Sequence, residues 1–474
     1  MAKQFGRATA RAARASGHQW PGRSGARAAG VAAYPTAVVA MAICLILMIV
    51  ALLGGVGADS RWLAALGHVI LARHAIPAGV PFATAPTSHW HNVPVLAELG
   101  FNGLERGLGD RGLVIAQLLA VALAFGVLAR DAVRAGATGD GVAAAFGLCA
   151  VGSLSSLVIA RSQLFSLALF PVLVALLRSE YRRPSRRIWL AVPLLGLWSN
   201  LHGVVLVGLA VLLAYLLSAR ARQAPWTAMS LAIASSLALG LTPALLDTAS
   251  YYRGVLENVA AQRHVALWAV PSLSSPLDDI ALAMIAVLGR RAWRSGWPLW
   301  EKVAAIGLAA MSVNTARSSV WLLFFLVGPA ACTVRRRRDW GWLAPATAVA
   351  ALAVVGVALA RGPRLAGASQ ELVRRAMALA GETPILAPDT LAERVALAGG
   401  RISVGDPLDA FSTRDQAVYL DWIAGAPHGV AALSSSVRIV LVERGSAAAR
   451  LMNRAVAYRR IAGDRSTVVY RRGG

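Results

Sequence analysis

Lysine is nearly missing from this 474-residue chain: Lys3 and Lys302 are the only two, so the formal charge of +24 is carried by arginine. Cysteine occurs three times, at Cys44, Cys149 and Cys332, each inside an apolar run. None has metal-ligand spacing, which excludes a disulfide framework or a zinc site and leaves small core residues. No Gly-rich phosphate loop and no Ser–His–Asp arrangement is legible. Nor is there a convincing internal repeat, which speaks against a transporter working by alternating access.

What the chain has in quantity is apolar surface. Hydrophobic residues make up 57% of it, and the mean hydropathy is +0.59. That balance belongs to polytopic membrane proteins. An isoelectric point near 11.5 would suit nucleic acid, but the arginines sit in short clusters between apolar runs. This is the topology signal of a bilayer protein, and nucleic acid is not an expected partner.

Eleven runs read as transmembrane segments: 32–57, 112–129, 141–160, 162–178, 188–198, 203–218, 226–246, 277–289, 300–314, 318–334 and 341–360. The first follows a basic head, residues 1–31, and reads as an anchor rather than a cleavable signal. That head, Arg130/Arg134, "RSEYRRPSRR", "ARAR", "GRRAWR" and "RRRR" all fall on the cytoplasmic side. Residues 58–111, 243–276 and everything after 361 fall on the other. This alternation closes only if two intervals are hairpins turning at "SNLHG" and "NTAR". Their limbs are short against the ~20 residues of a full crossing, so the turns should lie below the outer surface. Polar backbone at that depth survives when it lines a water-filled cavity. The competing reading at the first turn is one tilted helix whose His202 satisfies a polar neighbour.

Beyond Arg361 the pattern changes. "TPILAP", "RISVGD", "VRIVLVER" and "STVVYRR" read as short strands, and "LAERVALAG" and "SAAARLMNRAV" as helices. The fold class is therefore an α-helical polytopic membrane protein with a small C-terminal extracytoplasmic α/β domain. Its expected parts are 1–31, a transmembrane domain over 32–360 and an α/β domain over 361–474.

Chemistry can reside at several outward positions. Asp59 and Trp62 stand where the first segment exits, with His68 and His74 following. A carboxylate there suits a general base or a metal ligand, and on composition alone equally a solvated Asp beside a belt tryptophan. Arg161 and Gln163 occupy one outer turn, Asn314 and Arg317 another, Asn200 and His202 a third. Arginine forks match phosphate oxygens, and two arginines with a histidine at one depth suit a phosphate or diphosphate, whereas each arginine taken singly reads rather as a snorkelling or structural residue. The second outer loop brings Asp247, Glu257, His264, Trp268, Asp278 and Asp279, which read for the most part as an interfacial helix with ordinary caps.

These stretches together resemble the GT-C glycosyltransferase superfamily, in a largely uncharacterised bacterial branch. The likeness runs through "D..W...LGHVI......IP...PF" at 59–82, "HWHNVPVLAEL" at 89–99, "RSQLFS" at 161–166 and "LWSNLHGVVLVG" at 197–208. It continues through "LTP" at 241–243, "LWAVPSL" at 267–273, "AR" at 316–317 and a tail ending "VVYRR". The resemblance implies transfer of a sugar from a polyprenyl-phosphate-type donor, with membrane lipid and a lipid-linked sugar as partners, in a bacterial inner membrane. By analogy Asp59 is the base, while Arg161, His202 and Arg317 neutralise the leaving phosphate. Where relatives carry acids, this chain has Val80 and Leu267; Glu98 and Asp278 are the possible substitutes, so a divalent metal stays open and no other cofactor is assigned. The alternative is a non-catalytic envelope-assembly protein that binds lipid-linked intermediates.

Overall fold

The computed structural model describes residues 34–334, 343–360 and 370–473. The basic head at 1–31, the "RRRR" run and residues 361–369 lie outside the described residues. Every apolar run read as a span contains a helix: Tyr34–Leu53, Asp110–Arg134, Gly139–Gly152, Gln163–Arg182, Ala191–Ser199, Val205–Tyr215, Pro225–Ala238, Pro276–Arg294, Leu299–Asn314, Ser319–Ala331 and Leu343–Ala360. Two of these, Asp110–Arg134 and Gln163–Arg182, are long and apolar enough to cross a membrane by themselves. The 9-residue Ala191–Ser199 helix rises only ~13 Å, far short of a ~30 Å hydrocarbon core.

Three expected boundaries move. The run 141–160 breaks at Ser153 and finishes as a short helix, Leu154–Val158, and a strand β2, Ile159–Ala160. Gly152 lies so close to Met284 and Leu323 that there is no room for a side chain. The first run ends at Leu53, and Gly55–Val56 becomes strand β1, paired in parallel with β2. The run 226–246 stops at Ala238, ahead of Gly240 and the Thr242–Pro243 pair that cannot continue a helix.

The bundle packs around aromatic pairs: Phe125 sits edge-on to Phe146 at 4.8 Å and Phe324 at 5.6 Å, and Phe170 lies against Trp321. A charged network is buried among them. Arg178 reaches Asp131 at 3.1 Å, Glu301 at 3.1 Å and the Phe325 carbonyl at 2.7 Å, while Arg182 also reaches Asp131. Gly328 makes this possible, because a Cβ there would lie 2.5 Å from an Arg178 nitrogen. On the outside, Leu119, Leu217, Leu237, Ile306, Val313 and Leu352 are all exposed. An apolar exterior of this kind suits hydrocarbon better than water.

The C-terminal segment forms a four-stranded sheet from β3 (Ile385–Leu386), β4 (Ile439–Glu443), β5 (Tyr458–Gly463) and β6 (Thr467–Arg472), in the order β3-β4-β6-β5. β3 and β4 are parallel, and the other pairs are antiparallel. β5, with Arg459 and Arg460 exposed at its edge, follows the helix Ala447–Arg454 and is a strand that the sequence pattern did not announce. The segment is joined to the first loop. Ile402 donates to the Phe82 carbonyl and accepts from Thr84, both at 2.9 Å. Trp62, Leu66, Phe101 and Leu164 share one core with Ile385, Leu391 and Ile439.

Candidate functional site

The site is assembled by the parallel β1–β2 contact. Val56 pairs with Ala160, the Gly57 N–H donates to the Ala160 carbonyl at 2.9 Å, and the Ser60 hydroxyl donates to the same oxygen at 2.7 Å. Asp59 and Arg161 therefore emerge side by side from segments a hundred residues apart. Asp59 lies in the left-handed region (φ 78, ψ −22) and precedes the helix Ser60–Arg73. Aspartate tolerates that conformation better than most residues do. Its carboxylate does not cap its own helix; Oδ1 accepts the Trp62 indole N–H at 3.3 Å instead.

Opposite Asp59 lies a basic floor. The Asp59 charge acts on both Arg161 and Arg317, and both guanidinium groups act on His202. Arg161 is buried, and its Nε has no hydrogen-bond partner among the described residues. Arg317 comes from the 3-10 turn Ala316–Ser318 between two short helices. Its guanidinium stacks 4.2 Å over the Trp268 ring, and the Ala316 N–H donates to Ala269 at 2.9 Å, tying the turn to the second loop. His202 is oriented by Ser166, whose hydroxyl lies 2.7 Å from Nδ1 and accepts the Trp198 indole N–H at 2.7 Å. That donor to the Ser166 oxygen allows the Ser166 proton to go to Nδ1 and the ring proton to Nε2. Arg161, Arg317, Asp278, Ser153, Ser156 and Ser319 line a cavity of about 170 Å³, which offers charge and hydroxyl donors together.

Beside Asp59 the C-terminal segment contributes an acidic wall. Glu393, in the helix Asp389–Leu397, accepts the Asp59 N–H on Oε1 at 2.7 Å and the Arg61 N–H on Oε2 at 3.1 Å. Burial, then the Asp59 charge, pushes its carboxyl up to about 7. Asp409 accepts the Trp90 indole N–H at 2.8 Å and is pushed up to about 6, chiefly by desolvation. Asp406 hydrogen-bonds Glu393 and is held well above the usual carboxylate range by desolvation and by the charges of Asp389, Glu393 and Asp59. Asp389, bonded to the Tyr419 hydroxyl at 3.2 Å, is also raised by burial.

The remaining sequence candidates divide. Trp268 and Asp278 stand beside the arginines, and Trp62 beside Asp59. Gln163 is buried at the start of its helix, two residues past Arg161. Asn200 commits its amide to the Gly196 and Leu241 carbonyls at 2.9 and 2.6 Å, and so acts as joinery of the turn. His68 is exposed, nine residues along the helix from Asp59, and acts on Glu105. Glu98 is fully buried; Asn92 donates to its Oε2 at 2.7 Å, and burial pushes it up to about 8. Among the described residues, no three His, Cys, Asp or Glu side chains are grouped as a metal ion would need.

The acidic wall was not foreseen. Its signal was faint: Asp389 and Glu393, one turn apart in "DTLAERVALA", with Glu393 buried among Leu391, Ala392, Val395 and Ala396. Ser166 was equally hidden, a hydroxyl inside "RSQLFS".

No family model matches the sequence, and no curated protein matches it. Solved structures do. ArnT from Cupriavidus metallidurans bound to undecaprenyl phosphate superimposes with a TM-score of 0.52 at 15% identity, over 91% of this chain and 97% of that one. Its apo state gives 0.52 at 13%, with the same coverage. The arabinofuranosyltransferase AftD from Mycobacteria gives 0.48 at 14%, over 92% of this chain and 41% of that one, and adds nothing to the fold assignment. The architecture that brings Asp59, Arg161, His202 and Arg317 together is a GT-C-like fold.

Proposed function

We propose that this chain is a membrane glycosyltransferase that moves a sugar from a polyprenyl-phosphate-type donor to an acceptor on the outer face of the bacterial inner membrane, in assembly of an envelope glycan or glycolipid. The membrane setting is supported by the apolar exterior, and the topology by the arginine distribution, with the N-terminus cytoplasmic and the C-terminal α/β domain outside. A lipid-linked donor is supported by the undecaprenyl phosphate bound to the structural neighbour.

One observation carries the reading: Arg161 and Arg317, from separate segments, line one cavity, and the β1–β2 pair sets Asp59 beside Arg161. In the proposed reaction the acceptor hydroxyl gives its proton to Asp59, and its oxygen attacks the anomeric carbon. The bond from that carbon to the phosphate oxygen breaks, the electron pair stays on the phosphate, and configuration inverts. Arg161 and Arg317 meet the growing negative charge, fixed in place beforehand, which is where preorganised electrostatics act most strongly. Trp62 holds Asp59 at Oδ1 and Ser166 holds the His202 ring.

Undecaprenyl phosphate binding to the purified full chain tests the floor. A charge-assisted hydrogen bond contributes about 1.5–3 kcal/mol, so Arg161→Met and Arg317→Met should each weaken binding by roughly 10- to 100-fold. Unchanged affinity in both variants would remove the phosphate site.

A further inference from the structure

An aspartate directly before a helix ordinarily turns its side chain back to cap the exposed amides of the first turn. Asp59 occupies that position and does not; Glu393, from 334 residues away, accepts the Asp59 and Arg61 amides in its place. We propose that Glu393 is a positioning residue for Asp59: by capping the Ser60–Arg73 helix from the C-terminal segment, it releases the Asp59 carboxylate and fixes it over the arginine floor. The inference rests on Asp59 acting as the base.

Three observations converge on it. Glu393 is buried and both of its oxygens are engaged, so the clamp grips two amides two residues apart. Asp59 sits at φ 78, a left-handed state that aspartate tolerates, and the two Glu393 bonds hold the backbone on either side of it. Lastly, Asp406 shares a hydrogen bond with Glu393, tying the clamp to a second acid of the same segment. A donor at Asp406 leaves the Glu393 oxygens to accept, which is the role both of them have toward the two N–H groups. The C-terminal segment thus completes a site whose reacting groups all lie outside it.

The test uses the full chain in detergent with a panel of undecaprenyl-phosphate-linked pentoses and hexoses, read as undecaprenyl phosphate released. Glu393→Gln keeps the size but replaces one acceptor with a donor facing an N–H. A misplaced base should lower kcat by about 100-fold, with donor KM and undecaprenyl phosphate affinity within about twofold of the parent. Asp406→Asn retains a donor to Glu393 and should turn over near the parental rate, whereas Asp406→Ala should follow Glu393→Gln. A Glu393→Gln protein with parental kcat, or one whose KM and affinity worsen in step with kcat, overturns the proposal. If Glu393→Gln does not accumulate, the Asp406 pair decides, and equal rates for Asp406→Asn and Asp406→Ala overturn it. Full turnover by Asp59→Asn is a separate result that removes the base itself.

Discussion

The Ser60 hydroxyl donates to the Ala160 carbonyl at 2.7 Å, and through that bond the entry to one helix is locked against the exit from another. The same oxygen accepts the Gly57 N–H. Asp59 and Arg161 flank this junction, so the separation of the two side chains that we propose as base and phosphate-binding cation depends on a two-residue strand pair.

Gly57 is the weak point of the junction, since a Cβ there would lie 2.3 Å from Ile159 Cγ2. Gly57→Val is expected to pry β1 from β2 and cut release of undecaprenyl phosphate by roughly 10-fold or more. Gly107 has open space around it, so Gly107→Ala should leave turnover unchanged.

Trp268 carries the Arg317 guanidinium on its face. A partly desolvated cation–π contact contributes about 0.5–2 kcal/mol. Trp268→Ala should weaken undecaprenyl phosphate binding by roughly 2- to 30-fold, and Trp268→Phe should restore most of it. Equilibrium binding of the three proteins checks the order.

Glu98 predicts a pH dependence of stability. Burial raises its carboxyl to about 8 from an ordinary value near 4.3, so the folded state holds a proton that the unfolded chain gives up. The resulting stability is complete below the ordinary value and is lost as pH rises through about 8. Glu393 and Asp409 act in the same direction. Thermal unfolding should therefore show the parent weakening from pH 5 to pH 8.5, and Glu98→Gln should flatten the upper part of that curve.

The Arg178 network predicts a loss of stability without a loss of specificity. Removing one partner strands buried charge, at a cost of about 3–5 kcal/mol. Arg178→Met should lower the unfolding temperature strongly, while protein that remains folded binds undecaprenyl phosphate as the parent does. The network touches Asp131, Glu301 and Phe325 and none of the site residues.

The helices were legible because hydropathy alone marks a long apolar run, and Asp59, Arg161, His202 and Arg317 stood out as polar residues at the ends of such runs. The breaks at Ser153 and Ala238 were not, because they depend on close packing at Gly152 and on turn chemistry at 240–243. Nor was the C-terminal share of the site. Glu393 reaches Asp59 through a fold-level contact across 334 residues, and no local periodicity records a pairing of that range. At Asn200 the sequence marked a polar residue in an apolar run, and the structure adds that its amide N–H groups serve the Gly196 and Leu241 carbonyls.

Turnover by Asp59→Asn tests the proposed chemistry most directly. The substitution keeps the shape and an acceptor for the Trp62 indole while removing the proton acceptor, and general-base catalysis contributes about 10²–10⁴-fold. Release of undecaprenyl phosphate should fall by that factor, with undecaprenyl phosphate still bound at parental affinity. Parental turnover in this variant would contradict the assignment of Asp59 and, with it, the reading of the chain as a glycosyltransferase that uses this site.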